Sequence, residues 1–130
     1  MALDKNKKIL VVGLGLIGGS YAAALSRNGF EVGAVDRDPD AIGYALEAGY
    51  IRHGSVTADP DYIGGFDIVV FALYPSVLLD WVEKNARFFK KGALITDVTG
   101  VKSGIVFRVQ ELLPPGTEFV GAHPMAGREV

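Results

Sequence analysis

Three glycines near the N-terminus have the spacing at which a backbone binds a diphosphate. Gly13, Gly15 and Gly18 form a G-x-G-x-x-G sequence between an apolar run that predicts a strand and a run that predicts a helix. In this pattern the first glycine permits a sharp turn, the second lets a diphosphate approach the backbone, and the third lets the helix pack closely on the sheet. The free amides at the helix start, at Leu16 and Ile17, then face the phosphates. The sequence therefore predicts dinucleotide binding.

An acidic residue at the end of the second predicted strand completes this pattern. Asp36 follows Gly13 by 23 positions, and the pattern places a carboxylate for the adenosine ribose hydroxyls about 20 residues on. Because a carboxylate repels the 2′-phosphate of NADP, we expect NAD as the coenzyme. Arg37 keeps NADP open, since a guanidinium can pair with that phosphate. The plainer alternative is a structural glycine turn followed by a helix-capping aspartate.

Two further segments follow predicted strands, and ligands of a parallel sheet bind where its strands end. Leu73, Tyr74 and Pro75 follow the fourth strand, and we expect them to lie against the dinucleotide. Residues 97–103 follow the fifth strand, and Thr99 is their candidate coenzyme contact. Both segments are therefore expected at the same edge of the sheet as the glycine turn.

A histidine follows the sixth predicted strand. His123 stands before a proline in residues 121–129, where its position alone allows a turn role or a catalytic role equally. The other histidine, His53, lies in a polar, turn-rich stretch and is expected at the surface. With two histidines and no cysteine, the composition excludes a disulfide framework, a thiolate metal site and a histidine-rich metal site.

Strands and helices alternate along the chain. The predicted strands are Lys8–Gly13, Phe30–Val35, a short strand near Gly54–Val56, Asp67–Ala72, Ala93–Asp97 and Glu118–Gly121, and the predicted helices are Leu16–Asn28, Pro39–Ala48, Val77–Phe89 and Gly104–Leu113. Asn28-Gly29 is expected to end the first helix, and Asp38 to cap the second. The alternation predicts an α/β, doubly wound Rossmann fold: a mainly parallel six-stranded sheet with helices on both faces.

Length and charge narrow the class of protein. The 130 residues suit one domain, and the net charge of −2 without a large basic cluster argues against nucleic-acid binding. The uncharged stretch from Ile9 to Leu25 imitates a secretory signal, but its glycines disfavour the helix that a signal or a membrane span needs. We therefore expect a cytoplasmic protein that binds a small molecule and no membrane.

At this point the sequence resembles the prephenate and arogenate dehydrogenases of tyrosine biosynthesis. The resemblance covers the whole chain and rests on the run VGLGLIGGS at 12–20, on residues 97–102 and above all on the run GAHPMAGRE at 121–129. Many dehydrogenases share the glycine turn, whereas the histidine segment is specific to few families. The resemblance implies an NAD-dependent oxidoreductase.

The resemblance also implies roles for residues of the histidine segment. The family catalyses oxidative decarboxylation, in which a hydride leaves the ring carbon that bears the hydroxyl, carbon dioxide departs and the ring becomes aromatic. By this resemblance His123 accepts a hydrogen bond and then the proton of that hydroxyl, which suits a general base near neutral pH. Glu129 would help to gate or shape the site; the alternative is a solvated loop acid.

One position departs from the family pattern. The family usually carries a serine in the place of Gly100, where it steadies the substrate hydroxyl and the histidine. Thr99 or Ser103 could substitute for it, or the role is unfilled. Ser103 is also the natural N-cap of the last predicted helix, and Lys102 is either a cation of the site or a solvated chain end.

The resemblance further implies a domain organisation. Residues 1–130 correspond to the nucleotide-binding domain, and the helical C-terminal domain through which the family forms homodimers and closes its substrate site is absent from this chain. We therefore expect this chain to bind NAD and to turn over little prephenate or arogenate by itself, because positioning supplies much of the rate.

Two other functions fit the glycine turn. The first is a single-domain nucleotide-sensing module without catalysis, for which replacement of His123 would have no effect. The second is an S-adenosylmethionine-dependent methyltransferase, which the third glycine and the sixth strand before His123 make less favourable.

Overall fold

The computed structural model describes residues 5–100 and 103–121, which form one six-stranded sheet with helices on both faces. The strands are β1 (Lys8–Val12), β2 (Glu31–Val35), β3 (His53–Ser55), β4 (Ile68–Phe71), β5 (Leu94–Asp97) and β6 (Glu118–Gly121). Their order is β3-β2-β1-β4-β5-β6, and all neighbouring strands are parallel. The predicted doubly wound fold is confirmed.

The helices connect consecutive strands. They are α1 (Leu16–Arg27), α2 (Pro39–Glu47), α3 (Pro60–Ile63), α4 (Pro75–Asn85) with a following 3-10 turn (Ala86–Phe88), and α5 (Ser103–Leu112). The predicted C-terminal end of α1 is confirmed, since Gly29 has a φ of +89°. The predicted N-cap of α2 is also confirmed, since the Asp38 carboxylate accepts a hydrogen bond from the amide of Asp40 at 3.0 Å. The helix α4 begins at Pro75, two residues before its predicted start.

Each face of the sheet has its own hydrophobic core. On one face the strands pack against α1 and α2 through Ala22, Ile42 and Ala45. On the other face they pack against α4 and α5, where Leu78 and Val109 are fully buried. The strands are apolar on both faces because both are covered, which is why their sequences are nearly continuous apolar runs.

The connection between β3 and β4 differs from the sequence prediction. It contains the short helix α3, in which the side chain of Asp59 accepts a hydrogen bond from the amide of Tyr62. Four residues are too few for a hydrophobic period to be visible in a sequence.

The prediction that His53 lies at the surface is only partly right, because 38% of its side chain is exposed and the rest is covered by its neighbours. Its ring is half-buried, with Nδ1 at 2.8 Å from the Tyr62 hydroxyl and Nε2 at 3.1 Å from the Glu31 carboxylate. Gly33 makes room for this cluster: a Cβ there would lie 2.5 Å from the Tyr62 hydroxyl and 2.8 Å from the His53 ring. Burial raises the pKa of Tyr62 to about 12, and the hydrogen bond from His53 lowers the pKa of Glu31.

The strand order identifies the edge at which a ligand can bind. The chain runs outward from β1 to β3 and then returns to β4 on the other side of β1. At this reversal the connections leave in opposite directions, and a crevice opens at the carboxyl ends of β1 and β4. Within residues 5–100 and 103–121, no helix has the length and apolar character that crossing a membrane requires.

Candidate nucleotide-binding site

The glycine turn joins β1 to α1 at this crevice. Gly13 has a φ of +97°, which side chains rarely adopt, and a Cβ on it would lie 2.6 Å from the carbonyl oxygen of Ala72. A Cβ on Gly18 would lie 1.8 Å from the carbonyl oxygen of Gly13. Both residues must therefore be glycine for α1 to start directly against the turn, as the sequence predicts.

The start of α1 is open towards the crevice. Gly15 is the N-cap of the helix, no side chain caps it, and its first turn carries no acidic residue. A Cβ on Gly15 would meet no atom within 4 Å, and Leu16 is 92% exposed. The first amides of a helix have no partner within the helix and carry its positive dipole end, so this surface fits an anion.

Asp36 lies beside the turn, at the end of β2. One carboxylate oxygen accepts a hydrogen bond from the Leu14 amide at 2.7 Å, and the other accepts one from the Asp38 amide at 2.8 Å. An ionised carboxylate has about four acceptor positions, so about two remain for hydroxyl donors. The adjacent Arg37 is exposed and also lines the crevice.

The segment after β4 forms the wall opposite Asp36. Leu73 is half-buried, and its Cδ2 would lie 2.9 Å from a Cβ on Gly13. Tyr74 is the N-cap of α4 and is 82% exposed, while Pro75 is the first residue of that helix. Proline suits this position because the first helical amides have no helical partner.

The segment after β5 is held by a buried carboxylate. Asp97 is 2% exposed and accepts hydrogen bonds from the Thr99 hydroxyl at 2.7 Å, the Thr99 amide at 3.2 Å and the Gly100 amide at 3.0 Å. The Thr99 hydroxyl is also 3.5 Å from the carbonyl oxygen of Leu73, so it lies between two walls of the crevice. Gly100 has a φ of +75°, and the serine that the resemblance leads us to expect here would be strained.

These segments enclose one cleft of about 1050 Å³. All predicted coenzyme contacts except the buried Gly18 line it: Gly13, Gly15, Leu16, Ile17, Asp36, Arg37, Leu73, Tyr74, Pro75 and Thr99. Such a volume suits a large ligand.

Sequence reasoning missed part of the cleft wall. Val56, Ala58, Val77, Asp80, Trp81 and Asn85 also line it. The ring of Trp81 packs edge-on against Phe71, with centroids 5.3 Å apart, and is half-buried, so one part of it belongs to the core and another part is accessible from the cleft. The helical spacing of Val77 and Trp81 in the sequence is the signal that could have indicated a shared face towards the ligand.

The predicted catalytic segment lies largely outside the described residues. His123, Glu129 and Lys102 belong to the ranges that the structure does not describe, and only the backbone of Ser103, at the start of α5, is described. The strand β6 ends at Gly121, which pairs with Asp97 at the cleft edge of the sheet. Among the described residues, no group of His, Asp or Glu side chains has an arrangement that could hold a metal ion.

Comparison with known proteins agrees with this geometry. The sequence family described as the nucleotide-binding domain of prephenate dehydrogenase matches residues 21–130. The prephenate dehydrogenase of Lactococcus lactis subsp. cremoris is 35% identical over 127 residues, which cover 93% of this chain and 34% of that protein. The prephenate dehydrogenase of Bacillus subtilis is 31% identical over 121 residues, or 92% of this chain and 33% of that protein. The chain thus spans about a third of the length of these relatives.

Two solved structures extend the comparison. The prephenate dehydrogenase of Aquifex aeolicus in complex with hydroxyphenyl propionate and NAD+ superposes with a TM-score of 0.82 at 28% identity, covering 100% of this chain and 45% of that one. The arogenate dehydrogenase of Synechocystis superposes with a TM-score of 0.77 at 30% identity, covering 88% of this chain and 39% of that one. Because the family match covers residues 21–130, which are most of this chain, the chain belongs to the family of prephenate dehydrogenase nucleotide-binding domains.

Proposed function

We propose that this chain is the NAD-binding domain of a dehydrogenase that oxidatively decarboxylates prephenate or arogenate. The observation that carries the proposal is the open start of α1 beside the carboxylate of Asp36. A diphosphate fits the free amides at the start of α1, because the space that a side chain on Gly15 would occupy is open. A ribose fits the acceptor positions that remain on Asp36.

The coenzyme's direction along the cleft follows from these two positions. With the adenosine ribose at the end of β2 and the diphosphate at the start of α1, the second nucleotide extends over the ends of β4 and β5. There Leu73 and Thr99 face the cleft. Bound NAD supplies the hydride acceptor of the reaction, and the residues of this chain bind it and orient it.

Titration with both coenzymes tests the binding proposal. Trp81 is the single tryptophan of the chain and lines the cleft, so its fluorescence reports occupation, with calorimetry as the second readout. We expect NAD to bind more tightly than NADP because Asp36 repels a 2′-phosphate. A preference for NADP would mean that Arg37 dominates, and uptake of neither coenzyme would refute the proposal.

Catalysis is assigned to His123 on the resemblance of its sequence segment. In this assignment the neutral imidazole accepts the proton of the substrate hydroxyl, a role that contributes about 10²–10⁴ in rate. In the full-length enzyme, His123→Asn is then expected to keep its affinity for NAD and to lose about that factor in turnover. Unchanged turnover would refute the assignment. Glu129, Lys102 and Ser103 are proposed to shape the substrate end of the site.

The remaining parts of the proposal concern the whole enzyme. Residues 1–130 act as its nucleotide-binding domain, and a helical domain completes the substrate site and forms a homodimer in the cytoplasm. A polypeptide of residues 1–130 is then expected to bind NAD without appreciable turnover of prephenate or arogenate, because the helical domain would supply the second wall of the substrate site. Assays of this chain and of a full-length enzyme with both substrates test this division of roles.

A further inference from the structure

We propose that Asp36 has a second role: its carboxylate holds the glycine turn in the conformation that presents the α1 amides. Asp36 would then be a positioning residue for the diphosphate as well as the acceptor of the ribose hydroxyls. The part that concerns ligands rests on the proposed function, whereas the part that concerns the turn rests on the fold alone.

The ladder between β1 and β2 ends just before this contact. Its last backbone hydrogen bond joins the Gly13 amide to the carbonyl oxygen of Val35 at 2.9 Å. The next amide, that of Leu14, lies beyond the positive-φ turn at Gly13 and donates to the Asp36 carboxylate at 2.7 Å instead. A side-chain oxygen thus continues the pairing of the two strands for one residue past the point where the backbone ladder stops.

The carboxylate itself is fixed from the other side. Its second oxygen accepts from the Asp38 amide at 2.8 Å, and the Asp36 amide donates to the carbonyl oxygen of Ser55 in β3 at 3.1 Å. Asp36 therefore ties the turn to β2 and β3, and its rotamer is set before any ligand arrives. Such preorganisation lowers the entropy lost on binding.

The charge of Asp36, taken alone, would change the affinity for a diphosphate in the direction opposite to its proposed hold on the turn. A carboxylate beside the turn repels phosphate groups, so its removal would strengthen diphosphate binding if the turn were unaffected. If Asp36 holds the turn, its removal weakens diphosphate binding, even for a ligand without ribose hydroxyls. The sign of the change separates the two cases.

Amide hydrogen exchange tests the hold on the turn without any ligand. Asp36→Ala removes both acceptor oxygens, whereas Asp36→Asn removes the same charge and keeps one oxygen for the Leu14 amide. We expect exchange of the Leu14 amide to become at least about tenfold faster in Asp36→Ala and to accelerate less in Asp36→Asn. Asp40→Asn is the control, because it removes a charge outside the cleft, and exchange of the Leu14 amide should stay unchanged in it. Exchange in Asp36→Ala within twofold of the parent would overturn the proposal.

Titration with ADP and 2′,3′-dideoxy-ADP tests the consequence for ligands. We expect Asp36→Ala to bind dideoxy-ADP at least about threefold more weakly than Asp36→Asn does, because both variants lack the charge and only the first lacks the acceptor. Equal or tighter binding by Asp36→Ala would overturn the role in diphosphate positioning. Should Asp36→Ala not fold, Asp36→Ser, whose short side chain does not reach both amides, takes its place in both measurements. If the parent chain binds neither ADP nor NAD, the proposed function fails, while the exchange rates still decide the role of Asp36 in the turn.

Discussion

Replacing Gly15 by alanine is expected to weaken coenzyme binding strongly without unfolding the chain. The added methyl group would meet no atom within 4 Å, and Gly15 has φ −66° and ψ −163°, which alanine adopts readily. The same methyl group would stand in front of the first amides of α1, where the diphosphate is proposed to lie.

The two effects differ greatly in size. For folding, alanine is a poorer N-cap than glycine by about 0.5–1 kcal/mol, and its lower chain entropy in the unfolded state returns about 0.4–1 kcal/mol. The free energy of unfolding should therefore change by less than about 1 kcal/mol. For binding, displacement of the diphosphate weakens at least two hydrogen bonds to a charged group, each worth about 1.5–3 kcal/mol, so the Kd for NAD should rise by about 100-fold or more.

Urea unfolding and NAD titration of the same sample measure both quantities. Gly43→Ala is the matched control, because Gly43 also faces open space but lies in α2, away from the cleft. That variant should gain about 1 kcal/mol of stability and bind NAD like the parent. If folded Gly15→Ala bound NAD within threefold of the parent, the diphosphate would not lie on these amides and the assignment would be wrong.

Three further predictions concern stability. Gly18→Ala should lose more than about 3 kcal/mol of unfolding free energy in urea, because its Cβ would lie 1.8 Å from a backbone oxygen; a stable, NAD-binding variant would contradict this geometry. Hydrogen bonds from Lys90 and from the Lys8 amide lower the pKa of Asp67. The contribution of Asp67 to the free energy of unfolding is therefore present above the unfolded pKa of about 3.9 and is lost as pH falls through the folded pKa. Asp67→Asn should accordingly be less stable than the parent by about 1 kcal/mol at pH 7, with the difference shrinking below pH 4; a difference independent of pH would contradict the linkage. Tyr62→Phe should lose about 1 kcal/mol at pH 7, and an unchanged urea midpoint would show that its hydroxyl contributes nothing.

The parts of the structure that the sequence predicted are those fixed by local rules. The strand β1, the glycine turn and the start of α1 follow within a dozen residues, and each step depends on residue type: apolar runs for a strand covered on both faces, glycine where a side chain would strike backbone. The end of β2 at Asp36 is equally local, since a proline at the start of α2 limits how far the strand can continue.

The parts that the sequence did not predict depend on contacts between distant segments. Val56, which follows β3, and Asn85, which lies in α4, line the same cleft although they are far apart in the sequence, and no sequence period records that placement. His53 is half-buried because Tyr62, nine residues later, folds back over it above a glycine of the neighbouring strand. A turn-rich composition indicates an exposed backbone, but it does not indicate that the ring of Tyr62 covers the ring of His53.

The three motif glycines do not carry equal information about function. Gly13 and Gly18 are required by the fold, because a side chain on either would strike a backbone oxygen at 2.6 Å or less. A structural turn in a protein without any ligand would need them too. Gly15 meets no such contact, and a serine or aspartate there would cap α1 better. Folding therefore does not explain a glycine at this position. Without a capping side chain the first amides of α1 have no partner within the helix, and a bound ligand would satisfy them. The case for a bound diphosphate therefore depends on the middle glycine, and not on the count of three.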